Sequence, residues 1–186
     1  GFIQGSVTFE VTSTGNVFHA GGFRPEVTVK LTDQLAMLDL SPSDIEYVAI
    51  SHLHPDHAGN VNLFPGARFV VNKREYEYMF SDELRKNEDW FNLYNNREGL
   101  ENILYDDAFD LFGDGSVMFY STPGHTPGSS VLKVTLKNAG ALLLSGDLYS
   151  HEDARKFKSI PVFNLDADMT ARSMEKFEKL AVASDA

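Results

Sequence analysis

The residues with the clearest capacity for chemistry lie in one stretch, 51–60, which reads SHLHPDHAGN. Three of the six histidines of the chain, His52, His54 and His57, fall within this stretch beside the carboxylate of Asp56. Imidazole and carboxylate ligands suit zinc, iron or manganese, and a chain without cysteine offers no softer site. The composition of the stretch therefore predicts a metal site.

The spacing of these residues predicts their conformation. On a helix, His52 and His54 would point about 200° apart and could not hold one ion. On an extended strand, residues two apart share a face, so His52, His54 and also Asp56 can converge. Pro55 favours an extended His54 and cannot continue a strand inside a sheet. The pattern predicts a strand that ends in a metal-binding loop, against the alternative of surface histidines clustered by chance.

Two later motifs carry further candidate ligands. His125 lies in TPGHTPG (122–128), where two prolines and two glycines predict a rigid, irregular loop that is a poor place for a core histidine. Asp147 ends the motif SGD (145–147) after an apolar run, with a turn-forming aspartate as the alternative. In this order, the three motifs resemble the signature of the metallo-β-lactamase superfamily, and Ala58-Gly59-Asn60 resembles its lactonase-type branch. The resemblance covers the chain from about residue 10 to its end.

The resemblance implies a dinuclear site for two divalent metal ions, zinc in the first place, with iron or manganese as alternatives. Its six ligands are His52, His54 and His125 for the first ion, Asp56 and His57 for the second, and Asp147 as the bridge. The implied activity is a metallohydrolase that opens a lactone ring of the acyl-homoserine lactone type with a metal-bridged hydroxide. Such an activity is known as quorum quenching. The alternatives are another hydrolase of the superfamily, acting on a β-lactam, thioester or phosphoester, and a catalytically silent metal-binding domain.

Other catalytic and substrate-binding roles follow from the same resemblance. Asp56 would pass a proton to the leaving alkoxide, and Tyr149 would hydrogen-bond the substrate, with packing as the alternative for Tyr149. The interval between the first two metal motifs would build part of the substrate cleft. Its candidate contacts to an apolar substrate are aromatic residues that could equally pack the helices: Phe80, Trp90, Phe91 and Tyr94.

The chain departs from the family pattern in two places. The family closes its second metal position with a final histidine beyond the last helix, and this sequence stops at Ala186. The missing histidine predicts either a fold that is incomplete at the C-terminus or weak binding at the second metal position. His151 is the candidate substitute for the missing ligand. His19 stands where the family has an aspartate that supports the metal site. His19 could be a structural residue or an extra metal ligand.

Composition limits the partners. A length of 186 residues predicts a single domain over 1–186, and a hydrophobic fraction of 42% predicts a globular one. The net charge of −11 disfavours nucleic acid and leaves a small-molecule substrate. No apolar run suits a membrane span or a signal peptide, which favours a cytoplasmic protein. The absence of cysteine leaves the compartment open, and the residues do not determine the oligomeric state.

The predicted elements suit an α+β fold. Alternating or apolar runs predict strands at 7–12, 45–50, 67–71, 109–112, 117–120, 131–136 and 141–144. Helical spacing predicts helices at 25–38 and 166–182, a short one at 59–64 and helical segments within 73–105. Hairpins interleaved with helices match the αβ/βα four-layer sandwich that the resemblance implies, with possible truncation at both termini.

Overall fold

A computed structural model describes residues 29–186 and the backbone of Val7–Thr8. The chain divides into two compact units: the first comprises Gly1–Val70 with Met79–Ile103, and the second comprises Val71–Tyr78 with Leu104–Ala186. The described residues form two four-stranded sheets and a set of helices, so the predicted α+β class is confirmed.

The first sheet has the strand order β1-β2-β3-β4, formed by Val7–Thr8, Tyr47–Ala49, Arg68–Asn72 and Ile103–Tyr105. β1 pairs with β2, and β2 with β3, in parallel. The buried apolar run of β2 is typical of a parallel strand covered on both faces. The strands predicted at 45–50 and 67–71 are confirmed. Of the strand predicted at 7–12, only Val7–Thr8 lies among the described residues.

The helices of the described residues are α1 (Leu31–Ala36), α2 (Pro55–Ala58), α3 (Lys73–Met79), α4 (Asp82–Arg85), α5 (Glu88–Phe91), α6 (Glu152–Phe157) and α7 (Ala167–Ser184). Helices α3 to α5 confirm the helical segments predicted within 73–105. A 3₁₀ turn at Val61–Leu63 replaces the helix predicted over 59–64. None of these helices is both long enough and apolar enough to cross a membrane.

The helix predicted over 25–38 is wrong in its extent. Lys30 is extended, with φ −67° and ψ 153°, so α1 begins only at Leu31. Leu31 and Leu35 are buried as predicted, but Leu38 lies beyond the helix and is 70% exposed. The first residues of that prediction, 25–28, lie outside the described residues.

The second sheet is antiparallel, in the order β5-β6-β7-β8: Ala108–Asp110, Val117–Ser121, Ser130–Leu136 and Gly140–Leu144. Both predicted hairpins are confirmed. The register between β6 and β7 ends with Ser121 opposite Ser130, which closes the base of a loop at 122–129. That loop carries His125.

Helix α7 confirms the amphipathic helix predicted near the end of the chain. The Asp166 side chain caps it by accepting a hydrogen bond from the Met169 backbone N–H at 2.7 Å. Its buried face consists of Thr170, Ser173, Met174, Phe177 and Ala181. Met174 and Phe177 pack in one core cluster with Val131 of β7 and with Leu148 and Tyr149, which follow β8.

Candidate metal centre

The chain leaves β2 at Ala49, bends through 51–54 and enters α2 at Pro55. His54 precedes the helix with φ −58° and ψ 148°, an extended conformation that the following proline favours. Proline suits the first helical turn because its missing N–H would have no partner there. Asp56 therefore lies on a helix, and the prediction that strand alternation aligns it with His52 and His54 is wrong.

His52 and His54 converge as the spacing predicted. His52 Nε2 lies 2.9 Å from His54 Nδ1, and the two rings meet edge to face with centroids 4.6 Å apart. Leu53 between them is fully buried. Two nitrogens on a tetrahedral ion with bonds of about 2.0 Å would lie about 3.3 Å apart. The pair therefore fits two ligands of one ion after a small adjustment.

Ser51 orients two of the imidazole rings. Its Oγ lies 3.0 Å from Nδ1 of His52 and 3.3 Å from Nδ1 of His57. A hydroxyl oxygen has two lone pairs and can accept from both Nδ1–H groups. Each ring then has Nε2 available as a metal ligand, the usual effect of a hydrogen bond to the other ring nitrogen.

Asp56 and His57 form a second pair on α2. Asp56 Oδ2 lies 3.6 Å from His57 Nε2. The Asp56 side chain is 61% exposed, whereas that of His57 is 10% exposed. The carboxylate therefore reaches solvent while lying close to an imidazole nitrogen.

The second unit brings together His125 and Asp147. His125 Nε2 lies 3.3 Å from Asp147 Oδ2, the separation expected for two ligands on a tetrahedral ion. On the other side of the ring, His125 Nδ1 donates to Asn164 Oδ1 at 2.9 Å. Burial lowers the pKa of His125, but the bonds to Asp147 and Asn164 and nearby negative charge outweigh burial and raise it overall. The bond to Asn164 leaves Nε2 as the nitrogen that could ligate a metal.

The loop of His125 is held against the start of α7. Gly124 has φ 135°, and a Cβ there would lie 2.4 Å from the backbone nitrogen of Thr170, so the position requires glycine. Leu165 N–H donates to the carbonyl of His125 at 3.3 Å, and Asp166 N–H donates to that of Gly124 at 2.9 Å. The backbone of His125 is therefore tied to residues some 40 positions later.

Asp147 lies in a 3₁₀ turn, Gly146–Leu148, that follows β8. Gly146 has φ 51°, a left-handed conformation that reverses the chain directly after the strand. The Asp147 side chain is 29% exposed. This carboxylate follows the apolar strand as predicted and lies in a turn, and its role as a metal bridge stays a prediction.

The four aromatic candidates separate into two groups. Trp90 meets His54 edge to face, with ring centroids 5.3 Å apart. The other three pack edge to face on one another at 5.8 to 6.0 Å: Phe80, Phe91 and Tyr94. Tyr94 is fully buried. Trp90 is thus the aromatic residue that the structure brings to a candidate ligand.

The remaining candidates have other partners. The Tyr149 hydroxyl donates to Glu178 Oε1 at 3.1 Å, and its ring packs against Phe177. His151 caps α6, where its Nδ1 accepts from the Asp153 N–H at 3.1 Å and its side chain is 67% exposed. His19 lies outside the described residues.

Sequence reasoning missed two residues that orient the ligands. Ser51 precedes the histidine motif directly, and its hydroxyl could have been noted from that position. Asn164 lies 39 residues from His125, and no local pattern marks it.

Comparisons with known proteins identify the family of the chain. The family model described as Metallo-beta-lactamase superfamily matches residues 20–180. N-acyl homoserine lactonase AttM from Rhizobium radiobacter is 36% identical over 158 residues, covering 83% of this chain and 60% of that relative. An N-acyl homoserine lactone hydrolase with N-hexanoyl-L-homoserine at its catalytic metal centre superposes with a TM-score of 0.77 at 21% identity, covering 96% of this chain and 72% of that one. AidC, a dizinc quorum-quenching lactonase, superposes with a TM-score of 0.66 at 23% identity. That match covers 97% of this chain and 65% of AidC.

The chain belongs to the metallo-β-lactamase superfamily. The chain is similar in sequence to N-acyl homoserine lactonases, and the solved structures confirm the predicted fold. The chain spans about 60% of the length of the curated relatives named N-acyl homoserine lactonase AttM. Family membership and the imidazole and carboxylate donors support the binding of divalent metal.

Proposed function

We propose that the protein is a metal-dependent hydrolase that opens the lactone ring of an N-acyl homoserine lactone. The observation that carries the proposal is the 2.9 Å approach of His52 Nε2 and His54 Nδ1 within the histidine motif. Two imidazole nitrogens this close together suit two ligands of one metal ion. The similarity to lactonases in sequence supports the choice of substrate.

The proposed ligands are the six predicted from the sequence. His52, His54, Asp56 and His57 come from the first unit, and His125 and Asp147 from the second. The proposal assigns two divalent ions, zinc in the first place, to these residues, and treats 1–186 as one domain. When bound, such ions supply a nucleophile at neutral pH and polarise the carbonyl of the substrate.

The side chains of the protein then have separate tasks. Ser51 and Asn164 hold the imidazole rings in the orientation that presents a ligating nitrogen. Asp56 is exposed enough to take a proton and deliver it to the leaving alkoxide. Trp90 offers an apolar surface beside His54 for part of the acyl chain. Tyr149 remains a predicted contact to the substrate, although its hydroxyl is bonded to Glu178.

Two measurements on the same preparation test the proposal. The first is the metal content per chain of protein purified without chelator, for which we expect two ions. The second is proton release during hydrolysis of a panel of acyl-homoserine lactones. We expect turnover by the wild-type chain and none by a His54→Ala variant.

The outcomes separate the alternatives. Metal without turnover of any lactone, β-lactam, thioester or phosphoester would indicate a catalytically silent metal-binding domain. Turnover of one of the other classes, but not of lactones, would indicate a different hydrolase of the superfamily. Absence of bound metal would contradict the proposal altogether.

A further inference from the structure

Helix α3 carries a carboxylate that the proposed chemistry does not use. Glu75 lies in the first turn of α3 and is fully buried. An ionised carboxylate is costly to bury unless hydrogen bonds compensate for its lost hydration. Its neighbours in sequence, Lys73, Arg74 and Glu77, are exposed, as expected for a surface helix. The burial of Glu75 therefore calls for a specific cause.

The partners of Glu75 lie on the loop of His125. Glu75 Oε2 accepts hydrogen bonds from Thr126 Oγ1 at 2.7 Å and from the Gly128 N–H at 2.8 Å. Bonds to an ionised acceptor are stronger than bonds between neutral groups. One buried oxygen thus binds the residue next to the histidine and the backbone two residues further along.

The backbone of the His125 loop packs directly against the backbone of α3 at Gly128. A Cβ on Gly128 would lie 2.2 Å from the backbone nitrogen of Glu75 and 2.6 Å from its Cβ. Only glycine permits that approach, which puts the Gly128 N–H within reach of the carboxylate.

The loop transmits this anchoring to His125. Thr126 Oγ1 also bonds Ser129 Oγ at 2.6 Å, and Ser129 Oγ accepts from the Thr126 N–H at 2.9 Å. Gly124 N–H donates to the Thr126 carbonyl at 2.9 Å, so the residues on either side of His125 are bonded to each other. Helix α3 holds one side of this loop, and the start of α7 holds the other.

We propose that Glu75 is a positioning residue for the metal centre, which fixes the loop of His125 against α3 and adds a buried negative charge that strengthens cation binding. This inference rests on the proposed metal-binding function. Glu75 touches neither metal nor substrate in it. It acts through Thr126, Gly128 and the backbone of His125.

Three substitutions separate the charge of Glu75 from its anchoring role. Glu75→Gln keeps one carbonyl oxygen that can accept from both Thr126 Oγ1 and the Gly128 N–H, so mainly the charge is lost. Glu75→Ala removes both. Thr126→Val removes one donor at nearly constant volume. Glu77→Gln is the matched control, because it removes an exposed carboxylate from the same helix.

The experiment is titration of each chain with Co²⁺, followed by competition with a chelator for Zn²⁺. The visible absorption of Co²⁺ reports coordination geometry, and circular dichroism of the metal-free proteins reports folding. We expect about tenfold weaker Zn²⁺ binding for Glu75→Gln and Thr126→Val, and about 100-fold weaker binding with an altered Co²⁺ spectrum for Glu75→Ala. Glu77→Gln should stay within about twofold of wild type.

The results distinguish two kinds of failure. Wild-type Zn²⁺ affinity and an unchanged Co²⁺ spectrum in folded Glu75→Gln and Thr126→Val would overturn the role of Glu75, even if Glu75→Ala does not fold. Absence of Co²⁺ binding by the wild type and by Glu77→Gln would instead overturn the proposed metal centre, and this inference with it.

Discussion

Asn164 Oδ1 accepts a hydrogen bond from Nδ1 of His125 at 2.9 Å, across 39 residues of sequence. The amide oxygen can only accept, so the ring proton stays on Nδ1 and Nε2 points to Asp147. The Asn164 amide nitrogen donates in turn to Thr170 Oγ1 at 3.1 Å, which prevents the amide from turning. A residue outside every metal motif thus determines which nitrogen of His125 can bind a metal.

Replacement of Asn164 by alanine should weaken metal binding without removing a ligand. The His125 ring would lose the partner that selects its tautomer, and such losses typically lower metal affinity about 10- to 100-fold. Chelator competition for Zn²⁺ measures the change. Asn138→Ala, in the exposed turn before β8, is the control and should bind as wild type does. Equal affinities for the two variants would contradict the orienting role.

Replacement of Gly128 by alanine should destabilise the fold. The new methyl group would collide with the backbone of Glu75, and overpacking of this kind costs about 3 kcal/mol. Urea unfolding of the metal-free protein measures the free energy. Gly66→Ala is the control: nothing lies within 4 Å of its Cβ, so a change within about 0.5 kcal/mol is expected. A loss of unfolding free energy for Gly128→Ala as small as that for Gly66→Ala would show that the approach of loop and helix is not tight.

Replacement of Trp90 by alanine should affect long-chain lactones most. Loss of the indole beside His54 removes apolar surface, and we expect KM for long acyl chains to rise about tenfold. KM for short chains and kcat should change less, because the indole does not take part in proton transfer. Steady-state kinetics across acyl lengths provides the measurement. Phe157→Ala, at an exposed aromatic residue, is the control, and a rise independent of chain length would rule out an acyl-chain contact.

The contribution of Tyr149 to the free energy of unfolding should be lost at alkaline pH. Burial and the bond to Glu178 raise the pKa of Tyr149 from 10.0 to about 12. A group whose pKa is higher in the folded state than in the unfolded state stabilises the fold at pH values below its unfolded-state pKa. That contribution is lost as the pH rises through the folded-state pKa. The difference in unfolding free energy between wild type and Tyr149→Phe should therefore shrink between pH 10 and about 12. Urea unfolding at several pH values tests this, and a constant difference would exclude it.

Local sequence was sufficient for the strands and for the convergence of His52 and His54. Residue spacing and the proline after His54 are properties of neighbouring residues, so the approach of the two rings and the extended conformation of His54 could be predicted without the fold. The same reasoning failed for Asp56, because Pro55 opens a helical turn instead of only ending a strand. It also failed for the extent of α1, where an extended Lys30 delays the helix.

Tertiary structure alone separated the aromatic candidates. Phe80, Phe91 and Tyr94 pack together, whereas Trp90 faces His54. All four have similar sequence surroundings, and an aromatic side chain can equally fill a core or line a cleft. Only the placement of α5 in the first unit decides between these uses.

By itself, the sequence determined which residues can bind a metal, because donor chemistry and short-range spacing are written in adjacent positions. It also determined the superfamily, since its motifs occur in a fixed order. The tertiary structure decided which groups orient those ligands. Asn164 and Glu75 look like ordinary polar residues of a loop and a surface helix, and packing beside the loop of His125 gives each its partners. Contacts between residues distant in the chain depend on how the elements pack, and no local pattern encodes them.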